Sequence, residues 1–137
     1  MPRLTFRTSR HTFDKVLDDT LKQSIEEIVR GVLFDAFPSL DHDERNVELR
    51  WAVDDRDAHT NELSIDVMYT VGAHGFDPST AEPAFTLALR NTILKGLGTP
   101  FFPDGKLVSV DAWILPQMGA CWGEWCRAQQ QSGEEPG

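Results

Sequence analysis

Met1-Pro2-Arg3-Leu4-Thr5-Phe6-Arg7 is the stretch that decides the fold, because it places a short strand directly behind the first residue. A long amphipathic helix and a second strand follow, and the same strand–helix–strand order recurs in the second half of the chain. Each such unit predicts a parallel strand pair with a right-handed crossover. The sequence therefore predicts two βαβ units in tandem.

The first unit is predicted to run from about residue 2 to residue 54. Apolar residues recur at three- and four-residue spacing from Val16 to Leu33, which predicts a helix of about twenty residues. Pro38 is expected to end this helix. Residues 47–53 then alternate with period two, which predicts a strand. The candidates for the helix N-cap are Ser9, Thr12 and Asp14.

The second unit is predicted to run from about residue 62 to residue 116, after a hairpin-type loop at 54–61. Residues 62–71 alternate as a strand, and residues 107–115 form the last strand. The helix between them is capped by Ser79 or Thr80 and ended by Gly96 and Gly98. Its expected buried side comprises Phe85, Ala88, Leu89, Thr92 and Ile93.

The predicted fold class is α+β, with a four-stranded mixed sheet and two helices on one face. Residues 1–127 are expected to form a single domain, and residues 128–137 a solvated tail. Apolar residues on the last strand are expected to face away from the helices: Val108, Val110, Ala112 and Ile114. An uncovered apolar sheet face predicts self-association into a homo-oligomer.

Composition and charge exclude several function classes. The 137 residues carry 13 basic and 22 acidic side chains, for a net charge of −9, which argues against nucleic-acid binding. No apolar run approaches a membrane span and no secretory signal precedes the first strand, so a cytoplasmic protein is expected. Residues 1–13 are locally basic. These basic side chains either attract a small carboxylate ligand or form ion pairs with the acidic side chains that the protein has in excess.

Neither the cysteines nor the histidines predict a metal site. Cys121 and Cys126 lack a second Cys/His pair at zinc spacing, so they are interpreted as small packing residues. The four histidines are scattered without i,i+4 pairing. The chain contains neither a phosphate-binding glycine loop nor a nucleophile elbow, and no cofactor is expected.

Three features together resemble the tautomerase superfamily: the Met-Pro start, the tandem βαβ units, and a last strand ending at Pro116 with Trp122-Gly123 shortly after. The resemblance implies that Pro2, freed by removal of Met1, is the acid/base residue of a cofactor-independent tautomerase or isomerase. The substrate class it implies is a small keto or unsaturated carboxylate, and dehalogenase or decarboxylase chemistry is also found in this family. It implies a homotrimer as well. The alternative is that Pro2 merely begins an edge strand.

The resemblance also implies residues that bind the substrate. Arg10 and Arg50 are the nearest matches to the arginines that hold a carboxylate in this family, and His74 and Trp122 are candidates for the pocket. An arginine fork binds a carboxylate through two hydrogen bonds and can polarise an enolate. Each has an alternative: Arg50 in a salt bridge with Asp66 or another strand acid, His74 in a plain loop, and Trp122 in the core or an interface.

A second interpretation comes from a different class. The same βαββαβ order occurs in ferredoxin-like folds, where the two halves interleave in one antiparallel sheet. A non-catalytic oligomer used for binding or structure would fit that pairing. The pairing of the strands separates the two interpretations of the fold, but fold alone does not assign function.

Overall fold

The elements follow one another as two strand–helix–strand units. The computed structural model describes residues 1–55, 62–72, 75–101 and 109–118. The main elements are β1 (Arg3–Ser9), α1 (Asp19–Ala36), β2 (Glu48–Asp54), β3 (Glu62–Val71), α2 (Pro83–Phe101) and β4 (Ser109–Met118). A π-helical turn at Thr12–Val16 follows β1, and three 3₁₀ turns lie at Pro38–Leu40, Glu44–Asn46 and Pro78–Ala81.

The four strands form one mixed sheet in the order β2-β1-β3-β4. Strand β1 pairs parallel with β2 and antiparallel with β3, and β3 pairs parallel with β4. This confirms the predicted α+β class and excludes the interleaved antiparallel sheet of a ferredoxin-like fold. The predicted hairpin between β2 and β3 is wrong, because these two strands pair with opposite edges of β1 and not with each other.

Both helices pack on the same face of the sheet. Leu4 and Phe6 of β1 are fully buried there, beside Ile65 and Val67 of β3. The helices contribute to the same core cluster through Ile25, Val29, Leu33, Leu89, Ile93 and Leu97. Among the described residues, no helix is long and apolar enough to span a membrane.

Helix α1 begins later than its apolar pattern predicts. Leu17 and Asp18 have extended backbones, which separate the π-helical turn from α1. Asp18 is the N-cap: its Oδ1 accepts the N–H of Leu21 at 2.8 Å, whereas Ser9 Oγ accepts the N–H of Thr12 at 3.2 Å in the earlier turn. The predicted end is confirmed, since α1 stops at Ala36 and Pro38 opens the next turn.

Helix α2 continues through the glycines that were expected to end it. Gly96 and Gly98 both lie inside Pro83–Phe101. A Cβ on Gly96 would lie 3.1 Å from Ile28 Cγ2 of α1, so glycine here permits the two helices to approach closely. The expected buried side is correct for Leu89 and Ile93, whereas Ala88 and Thr92 are exposed. The preceding 3₁₀ turn is capped by Asp77, which accepts the N–H of Ser79.

Strand β4 directs its apolar alternation toward the helices, not away from them. Ala112 is buried in the core, and Val110 and Ile114 pack against it; Val108 lies outside the described residues. The outer face instead exposes Trp113, which is 55% accessible. The expectation fails because a crossover helix covers the apolar face of the strand that follows it. Pro116 is tolerated because β4 is an edge strand of the described sheet.

Tyr69, the one tyrosine in the chain, allows a direct test of this packing. Its hydroxyl donates to the carbonyl of Thr80 at 2.6 Å, and burial raises its pKa to about 12. An ordinary tyrosine has a pKa of about 10. In the folded protein we therefore expect phenolate absorbance near 295 nm to appear around pH 12, and in guanidinium around pH 10.

The sign of the effect on stability follows from the raised pKa. The folded state favours the neutral phenol, so this contribution to stability is complete below pH 10 and is lost as the pH rises toward 12. Tyr69→Phe should abolish the absorbance step. A midpoint near pH 10 while circular dichroism still shows folded protein would contradict the burial described here.

Candidate functional site

Pro2 is buried and held by the sheet. Its carbonyl accepts the N–H of Glu48 at 2.9 Å, which extends the parallel ladder one residue beyond Arg3. Strands β1 and β2 begin at this edge of the sheet, and β3 and β4 end at it, since Arg3 lies opposite Met68 and Val71 opposite Met118. The N-terminus therefore has a fixed position at one edge of the sheet.

A cavity of about 330 Å³ lies beside this N-terminus. Three segments line it: Met1; the two 3₁₀ turns after α1, through Ser39, Leu40 and Asn46; and the connection after β3, through Gly75 and Phe76. Pockets for small ligands range from about 300 to 1,000 Å³, so this cavity suits a small molecule. Pro2 follows Met1 in the chain, so loss of Met1 would leave the Pro2 nitrogen at this position.

Gly75 holds the far wall of the cavity through a tight backbone arrangement. The N–H of Phe76 donates to the carbonyl of Thr70 at 2.9 Å, and the N–H of Gly72 donates to the carbonyl of Phe76 at 3.0 Å. Gly72 has a φ of +102°, which favours glycine. A Cβ on Gly75 would collide with the Thr70 carbonyl, so only glycine fits there.

The described lining carries no ionisable side chain. Two charged residues close to Asn46 in the chain, Asp43 and Arg45, pair with each other at 2.8 Å. This bond holds the pKa of the Asp43 carboxyl below its usual range and raises that of Arg45. The residues that the structure describes include no group of three or more His, Cys, Asp or Glu that could hold a metal ion.

Arg10, a predicted carboxylate ligand, lies at the far end of β1 from Pro2. Eight residues at about 3.3 Å each separate the two by roughly 25 Å. Arg10 Nε donates to Asp55 at 3.1 Å, and its guanidinium is 4.0 Å from Asp14. The structure therefore does not bring Arg10 and Pro2 together within one chain.

Arg50 is on the outer face of the sheet, opposite Thr5, whose hydroxyl accepts its Nε–H at 3.3 Å. Asp66, its suggested alternative partner, instead accepts from Arg7 at 2.7 Å. His74 and Trp122 lie outside the described residues. Their described neighbours, Gly75 and Met118, are at the sheet edge that holds Pro2.

Two other cavities have walls of a different character. One, of about 240 Å³, is a groove between α1 and α2 that includes Val32, Phe85 and Leu89. The other, of about 570 Å³, lies along α1 and β2. Its polar groups are already paired: Trp51 Nε1 donates to Glu26 at 2.7 Å, and Lys22 Nζ lies 3.7 Å from the Phe13 ring centroid. Of these three cavities, only the first is lined by Met1, the neighbour of Pro2, and it is therefore the candidate site.

The chain is similar in structure to solved enzymes over almost its whole length. It matches malonate semialdehyde decarboxylase with a TM-score of 0.52 at 12% identity, covering 95% of this chain and 97% of the other. It matches a 5-carboxymethyl-2-hydroxymuconate isomerase from Deinococcus radiodurans R1 with a TM-score of 0.50 at 14% identity, covering 96% and 93%. The chain therefore shares its fold with these two enzymes.

The chain also matches a probable enzyme from the thermophilic fungus Aspergillus fumigatus, with a TM-score of 0.57 at 12% identity over 96% of this chain and 94% of the other. No protein-family model matches the sequence, and no curated protein matches it. At identities this low, the structural match establishes the shared fold alone. The chemistry has to be argued from the residues of the site.

Sequence reasoning missed most of the cavity wall. Ser39, Asn46, Gly75 and Phe76 come from segments that no periodic pattern joins. The one available signal was the position of Asn46, a polar residue directly before the alternating strand 47–53. A parallel crossover brings the start of that strand beside the start of β1.

Gly75→Ala should destabilise the protein and disturb the cavity wall. The new Cβ has no room beside the Thr70 carbonyl, so we expect a loss of more than about 1 kcal/mol in the free energy of unfolding by urea. Gly31→Ala is the matched control: a Cβ there meets nothing within 4 Å, and alanine should stabilise α1 by about 1 kcal/mol. Equal effects of the two changes would contradict the geometry at Gly75.

Proposed function

We propose that this chain, after removal of Met1, is a cofactor-independent tautomerase-like enzyme in which Pro2 is the acid/base residue. Its substrate would be a small keto or unsaturated carboxylate. The observation that carries the proposal is the burial of Pro2 at the sheet edge, next to the cavity that Met1 lines. A free secondary amine at that position needs no side-chain triad to move a proton.

The surroundings of Pro2 suit a base near neutral pH. An α-amino group has a pKa of about 7.7–8.0, and burial lowers the pKa of an amine because it disfavours the charged form. The lining adds no carboxylate that would oppose this effect among the described side chains. The free amine can then take a proton from one atom of the substrate and return it to another.

The structural neighbours support this chemistry. One is an isomerase, and the other is a decarboxylase with hydratase activity. The decarboxylase was solved together with a variant in which its first residue, a proline, is replaced by alanine. Pro2 would be the first residue of this chain once Met1 is removed.

The residues that would hold the substrate carboxylate remain predictions: Arg10, Arg50, His74 and Trp122. The last two are supported by the described residues nearest to them in the sequence, Gly75 and Met118. Both of these lie at the sheet edge that holds Pro2. The distance along β1 means that Arg10 could contact a substrate at Pro2 only from a neighbouring copy. A cytoplasmic location likewise remains a prediction.

We also propose that the outer sheet face joins copies of this chain into a homo-oligomer, with a trimer favoured by the resemblance. This face carries the ion pairs Arg3–Glu48 and Arg7–Asp66, at 3.2 and 2.7 Å. Trp113 protrudes beside them and is 55% accessible. Tryptophan and arginine are both enriched at interfaces between proteins.

Pro2→Ala tests the proposed mechanism directly. A positioned acid/base group contributes about 10²- to 10⁴-fold, so the variant should lose at least about 100-fold in kcat/KM for the conversion of phenylenolpyruvate to its keto form. Intact mass should show that the wild-type protein lacks Met1. Pro83→Ala is the control, because Pro83 is exposed at the start of α2 and its replacement should leave the rate unchanged.

Two outcomes would reject the proline mechanism. One is a fully active preparation that retains Met1, since its Pro2 nitrogen is an amide and carries no basic lone pair. The other is a Pro2→Ala variant as active as the wild type. Absence of activity in both proteins would favour the non-catalytic interpretation.

Trp113→Glu tests the proposed interface. A carboxylate at this position should disfavour burial of the outer face, so the mass measured by sedimentation should fall toward that of one chain. Leu87→Glu is the matched control, because Leu87 is equally exposed at 56% but lies on α2. A wild-type protein that sediments as a single chain would rule out this interface.

A further inference from the structure

Asn46 is a polar residue of the cavity wall that lies two positions before β2, the strand that pairs with the N-terminal residues. The parallel register pairs Arg3 with Glu48, and the N–H of Glu48 donates to the Pro2 carbonyl at 2.9 Å. Asn46 and Met1 each precede this first pair of the ladder by two residues. Both residues line the cavity. Loss of Met1 would therefore leave the Pro2 nitrogen at the cavity whose wall includes the Asn46 side chain.

The Asn46 amide is held in one orientation. Its Nδ2 donates to the carbonyl of Leu40 at 2.9 Å, and this carbonyl also accepts the N–H of Asp43 at 3.1 Å. An asparagine amide has two N–H donors and one carbonyl acceptor. One donor is used by Leu40, which leaves the second N–H and Oδ1 on a side chain that is half-buried in the wall of the cavity.

The turn that carries Asn46 is built at a cost in backbone energy. Asp41 and His42 are consecutive residues in the left-handed region, with φ of 56° and 52°. Only glycine adopts this region routinely, and two such residues in succession are uncommon. Together they return the chain from the turn Pro38–Leu40 to the turn Glu44–Asn46, which places the Asn46 amide against the Leu40 carbonyl. Strain of this kind persists where the surrounding structure requires it.

We infer that Asn46 binds the oxygen of the reacting carbonyl or enol group of the substrate and orients it toward Pro2. This inference rests on the proposed function and adds the chemical class recognised at the oxygen: a neutral oxygen that becomes negatively charged during the reaction. The Pro2 nitrogen takes the proton from carbon, the electron pair moves onto the oxygen, and the Asn46 N–H donates to that oxygen. The proton then passes from the Pro2 nitrogen to the oxygen to give the enol, and conversion of an enol to its keto form follows the same steps in reverse. No cofactor or co-reactant enters this balance.

A neutral amide suits this role better than a carboxylate would. It strengthens its hydrogen bond as charge develops on the oxygen, which favours the transition state over the bound substrate. It also leaves the nearby amine free of a carboxylate that would hold it in its charged form. The Asp43–Arg45 ion pair on the same turn is exposed at Arg45 and is not part of the lining.

The test compares two replacements that both abolish the bond to Leu40. Asn46→Ala also removes the hydrogen bond to the substrate oxygen. Because that bond is strongest in the transition state, kcat should fall about 10- to 100-fold with a smaller change in KM. Asn46→Asp loses the same bond and also places a carboxylate near the Pro2 amine. The acidic limb of its kcat/KM profile should therefore move up by about one pH unit or more.

Asn91 supplies the matched control. It is exposed on α2, so Asn91→Asp adds the same charge and Asn91→Ala makes the same truncation away from the cavity. Both should behave as wild type. A purely structural role for Asn46 would lower the melting temperature equally in its Ala and Asp variants and would leave kcat of the folded protein unchanged in each.

The outcomes separate this inference from the proposed function. An inactive Pro2→Ala protein together with Asn46 variants that retain wild-type kcat and pH profile would overturn the inference alone. A fully active Pro2→Ala protein would overturn both. The expected result is loss of activity at Pro2, a fall in kcat for both Asn46 variants, and a shifted pH profile only for Asn46→Asp.

Discussion

The pairing of β1 along both of its edges is the interaction on which the rest of the structure depends. All seven residues of this strand pair with β2, and six of them pair with β3 on the other side. An N-terminal strand at a sheet edge would fray, because the first residues of a chain are ordered only when they are tied down. Here the start of the chain is inside the sheet, so Pro2 is buried and its position is determined.

Alternate residues of β1 point to opposite faces of the sheet, and the two faces have different roles. Leu4 and Phe6 point to the helices and are fully buried. Arg3 and Arg7 point to the outer face, where acids on β2 and β3 neutralise them. The side that supports the fold and the side that faces solvent or another copy are thus distinct, and charge changes on the outer face need not disturb the core.

Periodicity in the sequence was sufficient to predict the elements, the tandem arrangement and the helix layer. It failed where contacts between elements decide the outcome. Gly96 resembles a helix end but lies inside α2, since Ile28 of α1 packs closely against it. Ala112 was assigned to the wrong face because its strand alternates between apolar and mixed residues, and only the crossover helix determines which side is covered.

The candidate site was predictable only in part, for the same reason. Pro2 could be proposed from its place in the sequence, because removal of Met1 is all that would turn its nitrogen into a secondary amine. Asn46 and Gly75 are 29 positions apart and meet only through the two 3₁₀ turns and the connection after β3. No local pattern marks such a meeting point.

The rigidity of β1 limits how the site can be completed. A strand cannot shorten, so the backbones of Pro2 and Arg10 stay roughly 25 Å apart. No rotamer of the arginine side chain spans that distance. Any cation that neutralises a substrate carboxylate at Pro2 must therefore come from a segment that reaches the same sheet edge or from another copy of the chain. The reacting oxygen faces no such restriction, because Asn46 is already at that edge and held by Leu40. Recognition of the oxygen can thus be complete within one chain, whereas recognition of the carboxylate by Arg10 would depend on assembly.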